Sequence, residues 1–139
     1  WVKAKYTSGG SIYNMIMILG GNVSTAPNAA ILVDNSVRPQ VMYNNNASVT
    51  PAQTTGDWCH IVAAYDETDM FVFINGAQVL QNARTAVDIT NDLVKYIGRD
   101  NSSQRYYSDQ IAQPRIYNRA LTAEEVQRNY NAGKNIYTN

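Results

Sequence analysis

The run MFVFINGAQVL, Met70 to Leu80, constrains the fold more than any other stretch of the chain. Two apolar segments meet at Asn75-Gly76, a pair that readily takes positive φ at both central positions of a type I′ turn. A tight hairpin follows. Just upstream, DETD (Asp66 to Asp69) is a short polar loop joining HIVAAY to MFVFI. Trp58 to Leu80 therefore reads as a three-stranded antiparallel meander. Its first strand alternates Cys59, Ile61, Ala63 and Tyr65 on one face with Trp58, His60, Val62 and Ala64 on the other. Both sets are largely apolar, so this strand is expected to be covered on both sides.

The same rhythm runs through most of the chain. WVKAKY, SIYNMIMIL, AAILVD, RPQVMY, AQVLQ, LVKYIG and SDQIAQPRIY are strand-like, separated by TSGG, Gly20-Gly21, Asn35-Ser36 and the Asn44-Asn45-Asn46 loop. Strands at this spacing with Gly and Asn turns predict an all-β, antiparallel two-sheet sandwich. The ending differs. Thr122 is an N-cap, Glu125 completes the capping box TAEE, and Leu121 and Val126 are placed for a hydrophobic staple. Val126 and Tyr130 share a face and Gly133 can supply a left-handed stop, which predicts a helix of two or three turns. A helix so short needs a surface to lie on.

At 139 residues the chain suits one domain, residues 1–139. It opens in mid-strand at Trp1, so the expectation is a piece of a longer polypeptide. Eleven basic residues balance eleven acidic ones, which leaves no cationic footprint for nucleic acid. The longest apolar run, MIMIL, is far short of the roughly 20 residues that cross a bilayer. One cysteine, Cys59, excludes an internal disulfide and a multi-cysteine metal cluster. Ten tyrosines stand against two phenylalanines, within a neutral coat of Asn, Ser, Thr and Gln. Such a coat suits an extracellular or virion-surface setting.

Two segments carry a family resemblance. GDWCHIVAAYDETDMFVFINGAQV is similar to a Trp-His-Val-Ala strand, a Tyr-Asp turn and a hydrophobic-x-hydrophobic-Asn-Gly hairpin. YIGRDNSSQRYYSDQIAQPRIYNRALTAEEV is similar to an Ile-Gly strand, a polar loop, a Gly-x-Ile-Asp strand and a Tyr-Asn-Arg-Ala-Leu, Glu-Glu-Ile close. Together they resemble the laminin-G-like, pentraxin-like branch of the concanavalin A-like lectin/glucanase jelly rolls. The resemblance covers Trp1 and most of Gly56 to Tyr130. It implies two curved antiparallel sheets, first and last strands adjacent, and a leading strand ahead of Trp1 that this sequence lacks. The tail NYNAGKNIY is similar to endings of jelly-roll domains in bacteriophage structural proteins. Ala112 stands where the family carries an aspartate, Cys59 where it often has histidine, and Pro114 removes an amide from the last strand.

The chemistry points to binding. Glucanases of this fold set acidic residues at i and i+4 on one strand face, so that a pair addresses one sugar bond. The dense acidic cluster here, Asp66, Glu67 and Asp69, lies at a turn, and Asp88 and Asp92 stand in loop sequence. His60 is the single histidine and sits in a packed strand. Calcium is the cofactor the resemblance implies, in rim loops, with Asp100, Asn101 and Asp109 as ligands and Asp34-Asn35 as a further source of oxygens. For sugars, Tyr106 and Tyr107 beside Arg99, Gln104 and Arg105 are the first stacking candidate, and Tyr43 with Asn44, Asn45 and Asn46 the second. The expected protein is a non-catalytic module that binds a glycan or cell-surface receptor. A structural or decoration domain packed against neighbouring subunits, with oligomers, is the alternative. Glycoside hydrolysis is the remote one.

Overall fold

Strict alternation along the meander builds the first sheet. The structure, a computed structural model, describes residues 1–5, 13–20, 28–44, 46–84, 95–100 and 105–138. β1 is Val2–Lys3, β2 Tyr13–Leu19, β3 Ala29–Asp34, β4 Pro39–Tyr43 and β5 Asn46–Val49. β6 is Trp58–Cys59, β7 Ile61–Tyr65, β8 Asp69–Ile74, β9 Ala77–Ala83 and β10 Tyr96–Ile97, followed by α1, Ala123–Tyr137. One sheet has the order β7-β8-β9, with Ile61 opposite Ile74 and Tyr65 opposite Met70. Asn75 and Gly76 have φ of 52° and 85°, the left-handed pair that the tight turn requires.

On β8 the even residues Met70, Val72 and Ile74 enter the main core with Val33, Val41, Ile16 and Tyr43 of the second sheet. The odd residue Phe73 turns away, to a smaller cluster with Ala64 and with Val126 of α1; Phe71 and Val62 pack against it. The meander is thus covered on both faces, by the other sheet and by the helix. That other sheet has the order β10-β2-β3-β4-β5. An extra residue in β2, between Met15 and Met17, breaks the period of two. Met15 and Ile18 therefore share the outer cluster with Leu32, while Ile16 faces inward.

First and last strand segments are adjacent. Val2 bridges Ile111, and Trp1 and Ala112 exchange N–H···O bonds of 2.9 and 2.8 Å. β1 pairs with β6 on its other side, Val2 opposite Cys59. No helix among the described residues is long and apolar enough to cross a membrane.

Three expectations need correction. The stretch SDQIAQPRIY was expected as a strand, yet its backbone pairing ends at Ala112. Gln113 sits at φ 51° and Pro114 lacks a donor, so the ladder cannot continue. Asn46, expected in a loop, instead begins the edge strand β5, NASV, opposite Tyr43. Most consequentially, Gly133 is no helix stop. α1 runs 15 residues, and Gly133 lies inside it against Trp1.

A methyl group at Gly133 would fall 2.5–2.9 Å from three atoms of the Trp1 indole. That close approach is why glycine stands there. Trp1 packs further on Tyr137 at 4.8 Å, His60 at 5.0 Å and Tyr130 at 5.5 Å between ring centroids. Val126, Tyr130, Gly133 and Tyr137 thus form the inner stripe of α1. The capping box forms as the sequence predicts, with Thr122 Oγ accepting from the Glu125 amide and the Glu125 carboxylate accepting from the Thr122 amide.

In an ordinary exposed helix Gly→Ala gains about 1 kcal/mol. Here Gly133→Ala is expected to lose ~1–3 kcal/mol in urea unfolding, because the methyl overpacks the indole. In a Trp1→Ala background the same change is expected to stabilise. A gain in both backgrounds contradicts the contact.

Candidate functional site

The described residues that follow β10 expose a stack of aromatic and cationic side chains. Gly98, at φ 78°, turns the chain out of β10, and its amide donates to Ile16 of β2 while its carbonyl accepts from Tyr107. This pins both ends of the loop. Between them Arg99 lies over two aromatic rings, 4.9 Å from the Tyr96 centroid and 5.8 Å from that of Tyr106. Arg99 Nε donates to the Asp100 carbonyl, which fixes the plane of the guanidinium. Tyr106 is 49% exposed. A flat phenol and the outer donors of a stacked guanidinium therefore face solvent side by side.

The two halves of the Tyr106-Tyr107 pair part company. Tyr107 points into the core, 9% exposed, and its hydroxyl donates to the Lys3 carbonyl. Burial, then the nearby Asp109 carboxylate, pushes its phenol well above the ordinary range. Tyr107 supports the loop and cannot present a ring to a sugar. Tyr43 is buried as well, stacked on Tyr65 at 4.7 Å. Asn45 lies outside the described residues, as do Asn101 and Gln104.

The expected calcium ligands are otherwise engaged. Asp100 is fully buried and receives Arg105 Nη1 at 2.9 Å. Asp109 meets Lys5 Nζ at 3.4 Å and accepts from the Gln110 amide. Asp34 accepts from the amides of Ser36 and Arg38, from the Arg38 guanidinium and from Gln40 Nε2. Burial pushes the Asp34 acid upward, but these donors win and hold it below the usual carboxylate range. Its work is to fold the β3–β4 turn. Among the described residues no three acidic, histidine or cysteine side chains gather. The described donors do not fit a calcium ion: each buried carboxylate already has a cation or amides of the chain itself.

The acidic turn is equally committed. Asp66 Oδ1 accepts from the Thr68 and Asp69 amides and the Thr68 hydroxyl, while Glu67 sits at φ 80°. These backbone and hydroxyl donors hold the Asp66 acid below the usual range. Nothing in that turn aims a carboxylate pair at a substrate.

Comparison with known proteins agrees with this architecture. The sequence profile of the family described as the concanavalin A-like lectin/glucanases superfamily, laminin G type, matches residues 1–127. The chain belongs to that family. Among solved structures, this laminin-G-like domain is similar to a proposed carbohydrate binding protein from Bacteroides ovatus. The TM-score is 0.72 at 17% identity, over 91% of this chain and 38% of that one. This chain thus spans well under half of that relative's length. An S-layer domain-containing protein from Clostridium thermocellum matches at TM-score 0.47 and 20% identity, over 94% of this chain and 69% of that one. No curated protein sequence matches.

A polar cleft of about 640 Å³ lies below the domain, lined by Gln53, Thr54, Asp57, Trp58 and Tyr137 among others. Nothing in the sequence signals it, since it joins a turn to the far end of the helix. Its rings are spoken for: Tyr137 packs on Trp58 at 4.9 Å and on Trp1 at 4.8 Å. Cys59 is buried, and its thiol is pushed up to about 12 by that burial. His60 packs between Trp1 and Tyr130, as a structural histidine should. Burial, then the amino group of Trp1 and the charge of Arg115, depresses it from 6.5 to about 4.

Two measurements follow. Unfolded His60 takes a proton near pH 6.5 and folded His60 only near pH 4, so the unfolded state binds more protons between them. Stability is expected to be full above pH 6.5 and to fall by about 1–2 kcal/mol towards pH 4, screening included. His60→Phe should flatten that part of the pH profile. Separately, Arg105→Ala removes the guanidinium beside a buried carboxylate and should lose ~2–4 kcal/mol, part of it regained by adding Asp100→Asn. Equal stability of Arg105→Ala and wild type contradicts the pairing.

Proposed function

We propose that this domain is a non-catalytic carbohydrate-binding module, working at a cell or virion surface and reading its glycan at the loop after β10. The observation that carries the reading is the Tyr96–Arg99–Tyr106 stack, with Tyr106 half exposed. A sugar ring is amphipathic: its C–H face stacks on a phenol while its equatorial hydroxyls take planar donors. Arg99 supplies such donors next to the ring, already oriented by its bond to the Asp100 carbonyl. Pre-orientation lowers the ordering cost of binding. The buried Asp100–Arg105 pair, at 2.9 Å, stiffens the base of the loop. A non-catalytic role fits the same picture, because Asp66 serves backbone amides and Asp34 and Asp100 hold arginines. The description of the Bacteroides ovatus relative points the same way.

A glycan array followed by calorimetry tests this reading, with and without calcium. Binding is expected without added calcium. Tyr106→Ala and Arg99→Ala should each weaken it at least ten-fold, about 1.4 kcal/mol, while shifting the melting temperature by no more than a few degrees. Hydrolysis of any array glycan, or binding that survives both substitutions, contradicts the proposal.

A further inference from the structure

The guanidinium of Arg99 carries a charge that the loop around it does not answer. Asp100 is fully buried and taken by Arg105 Nη1 at 2.9 Å, and Asp109 is taken by Lys5 Nζ at 3.4 Å. The residues between Asp100 and Arg105 are Asn-Ser-Ser-Gln, which bring no carboxylate. Arg99 itself is exposed and makes no ion pair among the described residues. Eleven basic residues against eleven acidic ones give the chain no general pull on polyanions. The positive charge beside Tyr106 is therefore local.

Its donors are also sorted. Arginine presents five N–H groups in a rigid plane. The Nε–H of Arg99 is spent on the Asp100 carbonyl at 3.0 Å, and nothing described accepts from Nη1 or Nη2. What is left is the end-on fork, whose two parallel donors match the two oxygens of one carboxylate. The plane is held from below: Tyr96 packs against the cluster of Met15, Ile18 and Leu32, and Arg99 lies 4.9 Å from the centre of its ring. A sugar hydroxyl would take one of these donors and leave the charge unmet. A carboxylate takes both and neutralises it, and charge-assisted bonds are about twice as strong as neutral ones.

We propose that the sugar read at this loop is a hexuronate, its carboxylate paired end-on with Arg99 while the C–H face of the same ring lies on Tyr106. This rests on the carbohydrate reading above and narrows it to one class. Guanidinium and phenol stand 5.8 Å apart. One monosaccharide that carries both an apolar face and a carboxylate spans that distance, so the two contacts reinforce each other.

The test titrates trimers of galacturonate, glucuronate and mannuronate into the intact chain at neutral pH and low salt. Each is compared with its methyl ester and with the corresponding neutral hexose trimer, by calorimetry and by the ring resonances of Tyr106. At least one acid is expected to bind ten-fold tighter than its ester and to shift Tyr106. Arg99→Gln keeps neutral donors and should bring acid and ester within two-fold of each other. Arg99→Lys keeps the charge without the fork and should bind the acid several-fold more weakly than wild type. Both variants should melt within a few degrees of wild type. Esters or neutral trimers that bind at Tyr106 as tightly as every acid overturn the hexuronate class and leave the carbohydrate reading standing. No sugar of either kind at Tyr106 overturns both. Dextran sulfate bound through Arg99 as tightly as the best acid assigns the preference to charge alone and likewise overturns the carboxylate.

Discussion

The indole of Trp1 rests on the bare backbone of Gly133, and much of the fold depends on that seat. A 15-residue helix is marginal in water by itself. It holds here because Val126 enters a cluster with Phe73 and Ala64, while Tyr130 and Tyr137 close around Trp1. The same indole tethers β1, which in turn pairs with β6 and with Ile111. First strand, meander and closing helix are therefore one mechanical unit. An alanine at 133 would separate them by the width of a methyl group.

Several described carboxylates are taken up by groups of the chain itself. Asp34 folds a turn, Asp66 caps another, Asp100 anchors Arg105, and Glu125 ties the helix start to Arg119 with two contacts of 2.7 Å. A carboxylate satisfied by amides or a guanidinium resists protonation and has no lone pair directed at a substrate. Facing outward after β10 are the half-exposed phenol of Tyr106 and the stacked, cationic guanidinium of Arg99.

Local rules were enough for the meander and the helix cap, because Asn75-Gly76 and the TAEE box act over a few residues. They were not enough for Gly133. Its role is set by Trp1, 132 positions away, and from sequence alone a glycine near a helix end reads as a stop. The bulge in β2 was hidden likewise, since MIMIL is apolar whichever way each residue points. β5 was missed because NASV is polar and short, as edge strands often are. At the candidate site, sequence could pair Tyr106 with Tyr107 but could not tell which of two adjacent tyrosines faces outward. Only the contact of Tyr107 with Lys3, more than a hundred residues earlier, says which.

Native-state hydrogen exchange tests the unity of strand and helix most directly. If the seat of Trp1 on Gly133 joins them, amides of Val126 to Gly133 open with the same free energy as those of Val72 and Ile74, and both track global unfolding. Helix amides that exchange through a separate, far cheaper opening while the β8 amides stay protected would contradict it.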